Sequence, residues 1–156
     1  MRVLEIAWSH PAGEALRARQ RAEIAQRYQR DDSEPGKPPS AEDISVFVLA
    51  EDAQGTPLGC GGLRHLGGPT AEVKRMYVVP EARGQGAAVA ILRALETWAL
   101  DRGWTTLRLE TGTLQPEAIR FYTREGYARI PNFGPYEGEP LSLCFERHLS
   151  SKARTL

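Results

Sequence analysis

The chain has 156 residues, 41% of them hydrophobic, and its 20 basic side chains are balanced by 20 acidic ones. That length suits one soluble domain over residues 1–156, which buries about 70% of the surface its unfolded chain exposes and needs no disulfide or structural metal. A net charge of zero excludes a protein that neutralises phosphates along a broad basic surface, so no nucleic-acid partner is expected. No apolar run reaches the roughly 18 residues of a membrane span. The opening MRVLEIAWSH also lacks a basic region followed by an apolar core and a cleavage site, so the expectation is a cytoplasmic protein without membrane contact. Cys60 and Cys144 lie in no CxxC and near no histidine, and His10, His65 and His148 share no ligand spacing. Both cysteines therefore read as buried thiols, and no metal is expected.

In chain order, RVLEIAW reads as a strand, and His10-Pro11 opens a helix with apolar residues at Ala12, Ala15, Leu16, Ala22, Ala25 and Tyr28. The run from Asp31 to Ser40 holds three prolines and a glycine among polar residues and reads as a mobile loop. ISVFVLAED and LGCGGLRHL form a hairpin in which the glycines imply a bulge or a close backbone approach. AEVKRMYVV is the next strand, ended by Pro80, which cannot donate to a ladder. From Gly86 to Arg102 the apolar residues Ala88, Ile91, Leu92, Leu95, Trp98 and Ala99 make one helix face, closed by Gly103. TTLRLET is a short strand, Pro116 to Glu125 a second amphipathic helix, and YARI and LSLCFERHL are strands around the loop PNFGPYEGEP. The resulting order is strand, helix, three strands, helix, strand, helix, two strands, which is a mixed α/β layer fold.

The densest chemical signal is the passage from the strand MYVV through PEA and Arg83-Gly84-Gln85-Gly86-Ala87-Ala88 into the long helix. Such a turn aims unpaired backbone amides and the positive end of a helix dipole at one point, a cradle for phosphate or pyrophosphate. No GK[ST] follows, which removes a Walker loop, and Val89 occupies the last position of GxGxxG, which removes the dinucleotide fingerprint.

With Arg83 included the pattern is [Q/R]xxGx[G/A], and VKRMYVVPEARGQGAAVAILRALETWA resembles the acyl-CoA-binding signature of the GNAT superfamily of N-acetyltransferases. A second block, LRLETGTLQPEAIRFYTREGY, resembles the family's late strand, loop and helix with an Nxx[A]xxxY pattern; Ala118 and Tyr122 match, and Gln115 stands where asparagine is usual. The resemblance runs from about Val46 to Leu149. It implies an α/β (α+β) fold with a mixed, mostly antiparallel central sheet of about seven strands and flanking helices, the fourth and fifth strands parallel and splayed. It further implies acetyl-CoA as cosubstrate, with the backbone of Met76, Tyr77 and Val78 binding the pantetheine arm. Amides from Arg83, Gly84, Gln85, Gly86, Ala87 and Ala88 would hold the pyrophosphate, and Gln115 would contact the cofactor arm.

Transfer from a thioester to an amine releases a thiolate and requires a neutral amine, so the reaction calls for a proton donor and a base. The resemblance implies Tyr122 as the donor. By the resemblance the base is either Glu72, at the start of the fourth strand, or Glu110, at the end of the fifth, and the sequence does not rank them. Phe133 and Tyr136 are expected to form an aromatic lid over the acceptor, with Arg75 available for a carboxylate. The acceptor read from this is a small amine or amino-acid-like molecule attacked directly in a ternary complex. A protein N-terminus or lysine as acceptor, a non-catalytic acyl-CoA sensor and a nucleotide-binding redox domain stay open beside it. The oligomeric state is left open by the sequence; the resemblance makes a homodimer one option, with the final strands or the SSKARTL tail available to it.

Overall fold

The computed structural model describes residues 1–29 and 35–150. Part of the Asp31 to Ser40 loop and the SSKARTL tail from residue 151 therefore lie outside the described residues. The elements run β1 (Arg2–Glu5), α1 (Pro11–Tyr28), β2 (Ile44–Glu51), β3 (Pro57–Gly67), β4 (Thr70–Val78), α2 (Ala87–Asp101), β5 (Thr106–Gly112), α3 (Pro116–Arg124), β6 (Ala128–Ile130) and β7 (Ser142–His148). This is the order expected from periodicity, with short 3-10 turns at Pro80–Ala82 and Gly134–Tyr136.

Local chemistry sets the helix ends. The Nδ1 of His10 accepts the Ala12 amide at 3.1 Å, and Pro11 occupies the first turn, where it forfeits no hydrogen bond. At the start of α2, Gly86 is the cap in a left-handed conformation and offers no side chain to the amides behind it. The inner face of α2 buries Ile91, Leu92, Leu95 and Ala99 against Val46, Val48, Leu63, Val73 and Leu107 of the sheet. On the opposite face, Leu16 of α1 packs with Phe47, Leu49, Cys60 and Tyr77. The one acidic side chain on the inner face of α2, Glu96, is fully engaged: it accepts from Tyr127 Oη at 2.8 Å, Arg147 at 2.9 Å and Arg93 at 2.7 Å. That network ties α2 to β7 and to the chain leaving α3 without an unpaired buried charge.

The strands form one seven-stranded sheet in the order β1-β2-β3-β4-β5-β7-β6, antiparallel throughout except for β4 and β5. The parallel pair is short: Thr70, Ala71 and Glu72 face Thr106, Leu107 and Arg108, and beyond these three pairs the strands part. A β-bulge bends β4 where they separate. Cys60 pairs with Tyr77 and Gly62 with Lys74, so three steps on β4 match two on β3, and Arg75 takes a positive φ of 57°.

Close approach explains the glycines of β3. A Cβ at Gly59 would lie 2.6 Å from the Tyr77 carbonyl oxygen, a backbone atom that cannot swing aside. Gly59→Ala is therefore expected to destabilise the protein by about 1–3 kcal/mol, read as a drop of about 2–4 °C in Tm per kcal/mol. An unchanged thermal midpoint would mean that this tight approach is not retained in solution.

Candidate active site

The parting of β4 and β5 leaves a cleft through the sheet, flanked by α1, α2 and α3, with two chambers of about 390 Å3 and about 570 Å3. They meet at a throat lined by Gln20, Ile24, Met76, Gln115, Ala118 and Tyr122, residues common to both.

The larger chamber has the features of an anion site. Gly84 and Gly86 have φ of 81° and 88°, conformations that L side chains adopt at a cost, and the space a Cβ would enter is open at both. No amide from Gly84 to Val89 finds a backbone acceptor among the described residues, since the first helical turn has none to offer and the cap carries no side-chain acceptor. Gly84, Gly86, Ala87, Ala88 and Val89 all line the chamber. Two expectations require correction here. The Arg83 amide is already donated to the Pro80 carbonyl at 3.3 Å, and its guanidinium is held by Glu23 at 2.9 Å and by the Val78 carbonyl at 3.0 Å. Gln85 is exposed and belongs to neither chamber lining.

The edge of β4 supplies the other wall. Val79 donates to Leu58 of β3 at 2.9 Å, so by antiparallel alternation the peptide groups of Tyr77 also face β3, whereas those of Met76 and Val78 face the opening. Of the three backbone positions expected to meet a pantetheine arm, Tyr77 is thus spent on the sheet. The Met76 carbonyl accepts from Gln20 Nε2 at 2.9 Å.

Tyr122, on α3, is 7% exposed and stands in the throat. Its ring meets Phe121 and Tyr127 edge-on at 5.1 and 5.8 Å, and its hydroxyl makes no hydrogen bond to the described residues. Burial pushes its phenol well above the ordinary value near 10, so the proton stays on oxygen throughout the neutral range. Gln115, at the start of α3, lines the throat beside it.

The two glutamates separate clearly. Glu110 lines the smaller chamber and accepts from Ser142 Oγ at 2.8 Å. Glu72 is 3% exposed and lines neither chamber: it accepts from Tyr136 Oη at 2.7 Å, with Lys74 Nζ at 3.7 Å. Lys74 in turn donates to Tyr136 Oη at 3.0 Å. The aromatic lid is likewise corrected. Tyr136 is 1% exposed and belongs to this buried cluster, and Phe133 packs edge-on against it at 5.3 Å with Arg108 above its ring, so neither lines the cleft. Asn132 fixes the loop by donating to the carbonyls of Tyr136, Glu139 and Ser142. Arg75, at the bulge, does line the smaller chamber.

Arg17, Gln20 and Arg21, to which no sequence motif points, also face the smaller chamber. With Ile24 and Tyr28 they make a 17/20/21/24/28 stripe on α1, a helical spacing hidden because its first members are polar.

Cys60 is buried, donates to the Arg75 carbonyl at 3.4 Å, and burial pushes its thiol up to about 12. It is not a thiolate at neutral pH and offers no acyl-carrying nucleophile. Cys144 is buried as well. Among the described residues no three His, Cys, Asp or Glu side chains are grouped to hold a metal ion, and no helix is long and apolar enough to cross a membrane.

A sheet opened beyond three parallel pairs, with free amides at a helix start on one side and a buried tyrosine in the throat, is the architecture of an acyl-CoA-dependent acyltransferase. A family model described as the acetyltransferase (GNAT) family matches residues 6–127. An IAA acetyltransferase of Azospirillum brasilense is 42% identical over 105 residues, 67% of this chain and 69% of that protein. An uncharacterized N-acetyltransferase of Schizosaccharomyces pombe is 34% identical over 98 residues, and the match covers 62% of this chain and 58% of that one. Among solved structures, a Klebsiella pneumoniae protein assigned as an acyl-CoA N-acyltransferase superposes with a TM-score of 0.80 at 34% identity, covering 96% of this chain and 97% of its own. The chain belongs to the GNAT acetyltransferase family and is an acetyl-CoA-dependent acetyltransferase.

Proposed function

We propose that the protein acetylates the primary amine of a small molecule held in the smaller chamber, by direct attack while acetyl-CoA occupies the larger one. The observation that carries this reading is the placing of Tyr122 in the throat between a chamber lined by helix-start amides and a chamber lined by Glu110. Amides of Gly84 and of Gly86 to Val89 would hold the pyrophosphate, and the peptide groups of Met76 and Val78 the amide-bearing arm. Bound acetyl-CoA supplies an acetyl thioester whose C–S bond breaks as the C–N bond to the amine forms. Glu110, directly or through water, takes the proton the ammonium must lose, and Tyr122 gives its hydroxyl proton to the departing sulfur. The products are the N-acetylated amine and CoA thiol; the nitrogen sheds two protons in becoming an amide, of which the one on Glu110 passes to solvent and the second, lost after attack, restores the phenol through solvent. A chamber of about 390 Å3 is at the small end of ligand sites, which favours a small acceptor over a folded protein.

The base is tested by comparing Glu110→Gln with Glu72→Gln in a thiol-release assay over an amine panel. Glu110→Gln is expected to lose about 100-fold in kcat/KM at neutral pH and to recover as alkaline buffer delivers the amine already neutral. Glu72→Gln is expected to act through stability, because it disturbs a buried Tyr136–Lys74 cluster, and to leave that pH profile in place. The reverse pattern would transfer the role to Glu72, and two unaffected profiles would leave deprotonation to bulk water.

A further inference from the structure

We propose that the acceptor carries a carboxylate as well as its amine, that Arg17 and Arg21 of α1 bind that carboxylate, and that the substrate class is therefore the free amino acid. This rests on the reading of the smaller chamber as the acceptor side.

Arg17 is the unusual group. It is 4% exposed, in the middle of a helix, and lines the smaller chamber outside the throat. One of its terminal nitrogens donates to the Trp8 carbonyl at 2.7 Å, while the other, fully buried, has no partner. Its Cζ lies 3.6 Å from the centre of the Trp8 ring and 4.9 Å from that of Phe47, and no carboxylate comes within 4.0 Å among the described residues. Burial of a charged group with neither ion pair nor complete hydrogen bonding is costly, and buried arginines are ordinarily matched by an anion. The cation–π contact with Trp8 offsets part of that cost. Burial also lowers the Arg17 pKa from its ordinary value, the direction expected of a cation lacking its counterion.

The surroundings extend the argument. Arg21, one turn further along the same face, lines the same chamber and has no ion pair among the described residues. Lys74 lines it too, but its charge is met by the buried Glu72. Glu110, the base proposed above, stands on β5 in the same lining. The chamber thus has uncompensated positive charge on its α1 wall and a carboxylate on its β5 wall. A zwitterion answers both: ammonium toward Glu110 and the throat, carboxylate toward Arg17 and Arg21. Arginine suits that task because its planar fork takes a carboxylate with two parallel bonds.

The test is thiol release at saturating acetyl-CoA with the twenty common amino acids, each beside its own carboxamide and the corresponding decarboxylated amine. For the best acceptor, the acid is expected to exceed its carboxamide by about 100-fold or more in kcat/KM. Arg17→Gln is expected to shrink that ratio at least tenfold through a raised KM for the acid, with the KM for acetyl-CoA held. Because Arg17 is buried and its replacement can unfold the helix face, Arg21→Gln, at an exposed position, is measured in parallel and should shrink the ratio in the same direction. Equal turnover of acids and carboxamides, or a ratio that both variants leave intact, overturns the carboxylate assignment while the small-amine reading stands. Silence toward every amine, with acetyl-CoA still raising the Tm, overturns both.

Discussion

Tyr122→Phe is expected to lower kcat by about 100-fold while leaving the KM for acetyl-CoA within a few-fold and the thermal midpoint of the free protein unchanged. The three parts follow from one environment. The ring is buried against Phe121 and Tyr127, contacts that phenylalanine keeps. The hydroxyl makes no hydrogen bond to the described residues, so its removal orphans no donor or acceptor. What is lost is a proton held in the throat where the thioester sulfur must depart. Burial raises the phenol above its ordinary pKa, so the protonated form persists as pH rises, and kcat should show no alkaline fall assignable to tyrosine up to about pH 10. Retention of the full rate in the variant would reduce Tyr122 to a core residue. A large fall in Tm accompanying the loss of rate would assign the effect to packing instead.

Gly86→Val is expected to abolish the stabilisation that acetyl-CoA confers in a thermal-shift experiment. A φ of 88° is unfavourable for any side chain and worst for a β-branched one, at roughly 1–2 kcal/mol or more. The free protein should therefore melt a few degrees lower. The greater effect concerns the ligand: the Cβ enters open space in front of the amides at the start of α2, which is where a pyrophosphate must sit. At a hundredfold excess over Kd, a ligand contributes about 2.7 kcal/mol, or several degrees for a protein of this size at about 2–4 °C per kcal/mol. Loss of that whole increment, beyond the shift of the free protein, is the expected result. An increment that survives the valine would place the phosphates elsewhere.

Both predictions use residues that local sequence makes visible. The start of α2 follows from a glycine turn before a run with helical spacing, and Tyr122 from the match of Ala118 and Tyr122 to the GNAT late-helix pattern, since its place on the apolar side of α3 alone reads as core. Element order was equally open to reading, because strands and helices here are punctuated by Gly and Pro at nearly every boundary. The bulge in β4 was not readable at its own position: the residue with positive φ is Arg75, and arginine carries no signal for that conformation. The loop around PNFGPYEGEP misled for a related reason. Its Pro and Gly content describes an exposed connection, yet Tyr136 turns inward because Glu72 and Lys74, far off in sequence, need a hydroxyl between them. The same distant pairing separated Glu72 from Glu110, two carboxylates that look alike as neighbours of strand ends. Arg17 escaped notice because a charged residue in a helix is ordinarily solvated, and only the fold places Trp8 and Phe47 around it.

The seam between β4 and β5 carries one more implication. Past Glu72 and Arg108 the sheet contains free edges in its interior, and an unpaired edge is normally an invitation to self-association, since any extended chain can dock there. Here the invitation is selective. Gln20 covers the carbonyl of Met76 and Arg83 that of Val78, so the outward acceptors of β4 are occupied while the amides of the same two residues remain as donors. A stray β-strand needs donors and acceptors in alternation and would have to displace both side chains to zip onto this edge. A guest that mainly presents carbonyl oxygens needs to displace neither. Two polar side chains from outside the strand thereby guard the protein against aggregation at its own working cleft, and the guard costs the cleft none of its openness to the intended visitor.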